Sequence, residues 1–170
     1  MKEGTAVYAG TFDPPTNGHV WMIEQGIEIF NPLPLIVAVG VNPEKHCLFS
    51  LEERVEMLHQ ITKSFPTVRV ESFPYMLLIH YAQRVGARFI LRGIRNFKDY
   101  EYENDMRNMN RREDPTIETV FLMPPQEIRE VSSGMVKGFM GPERGDEVVE
   151  KYVPPFVFKK LKEAYDAKQK

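Results

Sequence analysis

Residues 6–19 read AVYAGTFDPPTNGH, and the punctuation of this stretch decides the fold. Residues 6–9 are a short apolar run that ends at Gly10, as a buried strand would. Pro14 and Pro15 stiffen the loop that follows, while Gly10 and Gly18 permit close backbone approach. From Asn17 the period changes. Val20, Ile23, Ile27 and Phe30 fall at helical spacing and predict a helix over 17–30. A strand, a tight loop and a helix start together offer free N–H groups and a helix dipole to a phosphate. The loop lacks the Gly-Lys-Ser/Thr of a Walker loop and the G-x-G-x-x-G of a dinucleotide fold. The plainer reading of the same residues is a proline-containing β–α turn with an incidental histidine, His19.

The alternation continues outward from this unit. Strands are expected at 35–41 (LIVAVGV), 68–70, 88–91 (RFIL) and 119–123 (TVFLM). Helices are expected at 50–63, 77–85, 99–113, 132–140 and 155–167. Ser50 with Glu53 three residues on is a capping-box pattern, and Phe158, Leu161 and Tyr165 give the last helix an apolar face. Residues 124–131 read as a loop and 141–146 (GPERGD) as a turn. Such an alternation predicts a parallel α/β sheet with helices on both faces, with ligands beyond the carboxyl ends of the strands. No internal repeat or domain boundary is visible, so residues 1–170 read as one domain ending in a helix at about 154–168.

Composition narrows the classes. The chain has 22 Lys+Arg against 24 Asp+Glu, a net charge of −2, which excludes a strongly basic nucleic-acid coater. Hydrophobic residues make up 42% and charged residues 27%, values of a globular chain. Cys47 is the sole cysteine, so no internal disulfide and no Cys-rich zinc site can form. No apolar run approaches the roughly 20 residues of a membrane span, and the start is too quickly interrupted to read as a signal peptide. A cytoplasmic protein is expected, with neither nucleic acid nor membrane as partner.

The loop sequence TFDPPTNGH (11–19) resembles the T/H-x-G-H signature of the nucleotidyltransferases, in the form found in bacterial phosphopantetheine adenylyltransferases. The resemblance continues in order through FSLEER (49–54), LRGIR (91–95), DYEYE (99–103), MNR (109–111), FLMP (121–124) and VSSGMVK (131–137). It implies a Rossmann-like, doubly wound, five-stranded sheet. It also implies transfer of the adenylyl group of ATP to 4′-phosphopantetheine, giving dephospho-coenzyme A and pyrophosphate. A phosphate acceptor is already anionic, so such a reaction needs positive charge, fixed donors and alignment rather than a base.

The resemblance assigns roles residue by residue. His19 donates to the α-phosphate. Thr11, Phe12, Gly93, Ile94, Arg95, Glu103 and the stretch Ile128, Arg129, Glu130, Val131, Ser132, Ser133 and Gly134 meet the nucleotide. Thr11, Lys45, Leu77, Leu78 and Arg92 meet the acceptor, and Lys45 also contacts the transferring phosphates. Each has a plainer alternative. Lys45 is a solvated loop lysine. Arg92 or Arg95 pairs with Asp99 or Glu101. Glu103 pairs with Arg107 one turn on, and Ser132 and Ser133 cap a helix. No protein metal site is expected; Mg²⁺ would arrive with ATP, held by phosphates and water. The resemblance implies a homohexamer. Met76, His80, Gly138 and Ala9 depart from the family pattern, as does Gly134, where a third serine is common. Two other readings remain open on sequence alone: a related adenylyl- or cytidylyltransferase with another phosphate or phosphonate acceptor, and a nucleotide-binding module without catalysis.

Overall fold

The computed structural model describes residues 4–41, 43, 44 and 46–168. Lys45 therefore lies outside the described residues. Five parallel strands form one sheet: β1 (Thr5–Gly10), β2 (Leu35–Gly40), β3 (Val68–Phe73), β4 (Ala87–Gly93) and β5 (Glu118–Leu122), in the order β3-β2-β1-β4-β5. The connecting helices are α1 (Asn17–Phe30), α2 (Leu51–Thr62), α3 (Leu78–Arg84) and α4 (Phe97–Glu113). After β5 come α5 (Gln126–Arg129), α6 (Ser133–Phe139), α7 (Gly145–Val149) and α8 (Pro155–Lys168). The expected doubly wound α/β sheet is what forms.

From Ala6 onward β1 is apolar, as is β2, because each side of the sheet is covered. Ala6, Tyr8, Leu35, Val37 and Val39 join Met22, Ile23 and Phe30 of α1 and Leu58 of α2 on one face. Val7, Ala9, Ile36 and Ala38 join Ile79, Tyr81 and Ala82 of α3 on the other. Alternate residues of a strand point to opposite faces, so both sets must be hydrophobic. A third cluster lies outside the sheet, where Val157 and Leu161 of α8 pack with Met57 of α2, Val136 of α6 and Val149 of α7. The predicted apolar face of the last helix is thus spent on fixing α6.

Several boundaries differ from the sequence reading. Residues 124–131 contain α5, and the turn-like 141–146 leads into α7, which begins at Gly145. β3 runs on to Phe73, beyond the expected 68–70, because it pairs with β2 up to Gly40. α4 begins at Phe97, two residues early, since Asn96 caps it by accepting from the Asp99 N–H at 3.0 Å.

Strand order reverses between β1 and β4, whose neighbours lie on opposite sides. That is the switch point of a doubly wound sheet, where the loops diverge and leave a crevice.

Candidate active site

A cleft of about 570 Å³ opens at this switch point. Its floor is the end of β1, and its walls are the loop after β1, the ends of β4 and α4, and the segment from Pro124 through α6.

The β1 loop is shaped by an inward turn. Phe12 takes a left-handed backbone (φ 50°), a conformation that costs a non-glycine residue on the order of 1–3 kcal/mol. Burying its ring offsets this. The ring meets Tyr8 edge-on at 5.5 Å and His19 at 5.1 Å between centroids. Phe12 therefore turns its side chain into the core, so its share of the cleft surface is largely backbone. Gly10 leaves room for the turn, since a Cβ there would stand 3.0 Å from the Phe12 ring. Gly18 has a similar reason, as a Cβ would come within 3.3 Å of the Ile128 carbonyl where α5 crosses α1.

His19 is locked in orientation. Its Nδ1 accepts from the Thr16 backbone N–H at 2.9 Å, with the Thr16 hydroxyl at 3.0 Å. An acceptor nitrogen carries no proton, so the remaining proton of the neutral ring sits on Nε2. Burial, and then the positive charge of Arg95, lower the pKa of this histidine from its ordinary 6.5 to about 4. The neutral form is the one the fold favours. Its contribution to stability is present above pH 6.5 and is lost as pH falls from 6.5 toward 4. In an NMR titration of the ligand-free protein, the His19 ring is expected to show no inflection between pH 5.5 and 8. An inflection near 6.5 would overturn this protonation state.

Arg92 leaves β4 and grips Glu103 of α4 with two donors, Nε at 2.7 Å and Nη2 at 2.5 Å, while Nη1 donates to the Ala9 carbonyl at 2.8 Å. The sequence leaves Glu103 between an ion pair with Arg107 and a place at the nucleotide; in the structure its carboxylate lines the cleft and pairs with Arg92, because the end of β4 faces the first turns of α4. A guanidinium has five N–H groups, so two remain for a ligand. Burial alone would make the Arg92 cation easier to neutralise, but Glu103 outweighs it and holds the pKa up. Arg95 pairs with Asp99 at 2.8 Å, the plainer alternative for that residue.

Two residues outside the sequence-derived set organise the rest. Asp13 is buried, and accepts from the backbone N–H groups of Leu48 and Phe49, both at 2.9 Å, and from Lys137 Nζ of α6 at 2.5 Å. Burial pushes its carboxyl up, but Lys137 and the two amides outweigh that and hold it below the usual range. Arg54 of α2, also buried, donates to the Thr11 carbonyl at 2.9 Å. Asp13 lies in TFDPPTNGH (11–19) and Arg54 in FSLEER (49–54), yet their partners are 35–124 residues away, a distance that no local pattern reports.

Ser132 caps α6 by accepting from the Met135 N–H at 3.2 Å. Ser133 donates to the Pro14 carbonyl at 2.7 Å and so ties α6 to the β1 loop. Of the sequence-derived residues, Thr11, Phe12, His19, Arg92, Gly93, Arg95, Glu103, Ile128, Arg129, Val131, Ser132 and Ser133 line one cleft. Ile94, Glu130 and Gly134 adjoin it in sequence without lining it. Ile94 is buried and gives its N–H to the Leu122 carbonyl. Leu77 and Leu78 lie apart at the start of α3, with Leu77 52% exposed. Met76, His80 and Gly138 also lie outside the cleft lining.

The three acids facing the cleft, Asp13, Asp99 and Glu103, each hold a cation. Among the described residues, no group of three or more His, Cys, Asp or Glu side chains could hold a metal ion. Fold and cleft define the class of doubly wound α/β proteins with a ligand-sized crevice at the switch point of the sheet. A family profile described as cytidylyltransferase-like matches residues 7–139. The phosphopantetheine adenylyltransferase of Chromobacterium violaceum is 52% identical over 160 residues, covering 94% of this chain and 96% of that one. The phosphopantetheine adenylyltransferase of Neisseria meningitidis serogroup C is 54% identical over 156 residues, covering 92% and 91%. A solved structure of the Plasmodium falciparum nicotinic acid mononucleotide adenylyltransferase, complexed with NaAD, shares the fold with TM-score 0.65 at 14% identity, covering 93% and 94%. The chain belongs to the cytidylyltransferase-like family and, within it, to the phosphopantetheine adenylyltransferases.

Proposed function

We propose that this chain transfers the adenylyl group of ATP to 4′-phosphopantetheine, giving dephospho-coenzyme A and pyrophosphate in coenzyme A biosynthesis. The observation that carries the mechanism is the fixed, neutral imidazole of His19 in a cleft lined by Arg92, Arg95, Arg129 and Lys137. A phosphate oxygen of the acceptor attacks the α-phosphorus in line. The new P–O bond forms as the bond to the bridging oxygen of pyrophosphate breaks, and no covalent enzyme intermediate arises. His19 Nε2–H donates to a non-bridging α-phosphate oxygen as charge concentrates there. Arg92 offers its two remaining N–H groups to the acceptor phosphate, a planar fork suited to that anion.

Leu77 and Leu78 fit an acceptor that is long. β3 lies two strands from β1, so the start of α3 is roughly 10 Å across the sheet from the β1 loop. An extended pantetheine arm can cross that span and leave its phosphate in the cleft. Mg²⁺ fits as part of the substrate, because the cleft acids are already engaged with cations. It would supply charge neutralisation on the phosphates. A homohexamer in the cytoplasm completes the proposal. No helix of the described residues is long and apolar enough to cross a membrane.

The test is pyrophosphate release by the purified protein with Mg-ATP, with and without 4′-phosphopantetheine. Release that depends on the acceptor, with dephospho-coenzyme A detected by mass, is expected. ATP binding without release would overturn the acceptor and call for other phosphates and phosphonates, and for CTP in place of ATP.

A further inference from the structure

We propose that the Tyr8 hydroxyl binds the sugar of the nucleotide, through a hydrogen bond to one of the two ribose hydroxyls. The proposal rests on ATP being the nucleotide of this cleft. Tyr8 belongs to β1, the central strand, in register with Val37 of β2 and Leu91 of β4. The residue is 6% exposed, yet it lines the cleft. Among the described residues its hydroxyl has no hydrogen-bond partner. The oxygen is not sealed in either: the described side-chain atom that is both sealed and unpartnered is Thr5 Oγ1. What Tyr8 shows to the cleft is therefore the oxygen at the tip of a buried ring. A hydroxyl left unpaired at that depth is a cost that phenylalanine, filling the same space, would avoid.

The surroundings select the kind of group it meets. The charges that act on Tyr8 are Arg92, Arg95 and Glu103. Arg92 is paired with Glu103 and Arg95 with Asp99, so none of them claims the hydroxyl. Burial pushes the phenol pKa up, against the weaker pull of the two arginines, and keeps the group neutral. A neutral hydroxyl both donates and accepts, and so does a sugar hydroxyl, whereas a phosphate is better served by His19 and Arg92. The position agrees with the chemistry. The Tyr8 ring lies 6.5 Å from the His19 ring, and Glu103 lines the same cleft. One ester link joins ribose to α-phosphate, so a nucleotide with its α-phosphate on His19 brings its sugar to this part of the floor. The ring is held there, since Phe12 meets it edge-on at 5.5 Å and its strand is paired on both sides.

Tyr8→Phe removes the oxygen and keeps the ring. Calorimetric titration of the full-length protein with Mg-ATP, Mg-2′-deoxy-ATP and Mg-3′-deoxy-ATP reads the contact. The wild-type protein is expected to bind at least one of the two deoxynucleotides roughly three- to tenfold more weakly than ATP, the size of one neutral hydrogen bond. In Tyr8→Phe, ATP affinity is expected to fall by a similar factor. Affinity for the deoxynucleotide that lacks the partner hydroxyl should change by less than about twofold, since that contact is already gone. A packing defect would weaken all three nucleotides alike. Equal losses for all three, or a variant that binds ATP as the parent does, would overturn the role of Tyr8 while leaving ATP as the ligand. So would a wild-type protein that binds the three nucleotides equally, a readout that depends on no variant folding. A wild-type protein that binds no ATP would overturn the functional reading and this proposal together.

Discussion

Replacing His19 by alanine is expected to lower kcat roughly 100- to 1,000-fold, the usual loss of one fixed donor at a developing oxyanion. ATP affinity should stay within a few-fold, because the donation strengthens in the transition state rather than in the ground state. The variant also loses the acceptor of the Thr16 N–H at the start of α1, so a stability loss of about 1 kcal/mol should accompany it. That loss is too small to unfold the protein, and the rate can be measured on a folded variant. His19→Asn and His19→Gln sharpen the result. Either can present an N–H, but neither is held by Thr16 at the same depth, so both should recover only part of the rate. Because the ring is neutral above about pH 4 in the free protein, the deficit should not vary with pH between 6 and 8. Equal turnover in His19→Ala would remove His19 from the chemistry.

The sequence exposed this site unevenly, for physical reasons. The β1–loop–α1 unit was legible because its signals are local: a period change at Asn17, two prolines and two glycines. The buried strands were legible because β1 and β2 must be apolar on both faces. α5 and α7 were not. Helices of four and five residues are too short to show a period, and α5 starts after two prolines that read as loop. α4 was legible as a helix but not in what it buries. Its buried residues are Glu103 and Asn110, both polar, so hydrophobic spacing gives no hint that Glu103 faces Arg92. Family resemblance named Arg92 and Glu103 separately, for acceptor and nucleotide, and the structure makes them one unit. Asp13 and Lys137 were hidden for the same reason as Arg54: their partners come from other loops and helices.

The Arg92–Glu103 unit carries the second large effect. Arg92→Met removes the cation from a buried carboxylate and the donor from the Ala9 carbonyl. Breaking one side of a buried ion pair costs about 3–5 kcal/mol. With side-chain exposures of 26% and 10% for this pair, the lower end, about 3 kcal/mol, is expected. For a chain of this size that is a fall in Tm of roughly 6–12 °C. Glu103→Gln should cost less, since an amide can still accept from the guanidinium. The double variant Arg92→Met/Glu103→Gln should be more stable than Arg92→Met alone, because no unpaired charge remains buried. Activity should not follow stability. Both variants without the guanidinium should show a raised KM for the acceptor, whether or not the fold has recovered, while Glu103→Gln should keep a KM near that of the parent. A double variant that regained acceptor KM along with its Tm would mean that Arg92 acts only through Glu103. One that regained Tm alone would place the guanidinium on the acceptor phosphate and leave Glu103 to aim it.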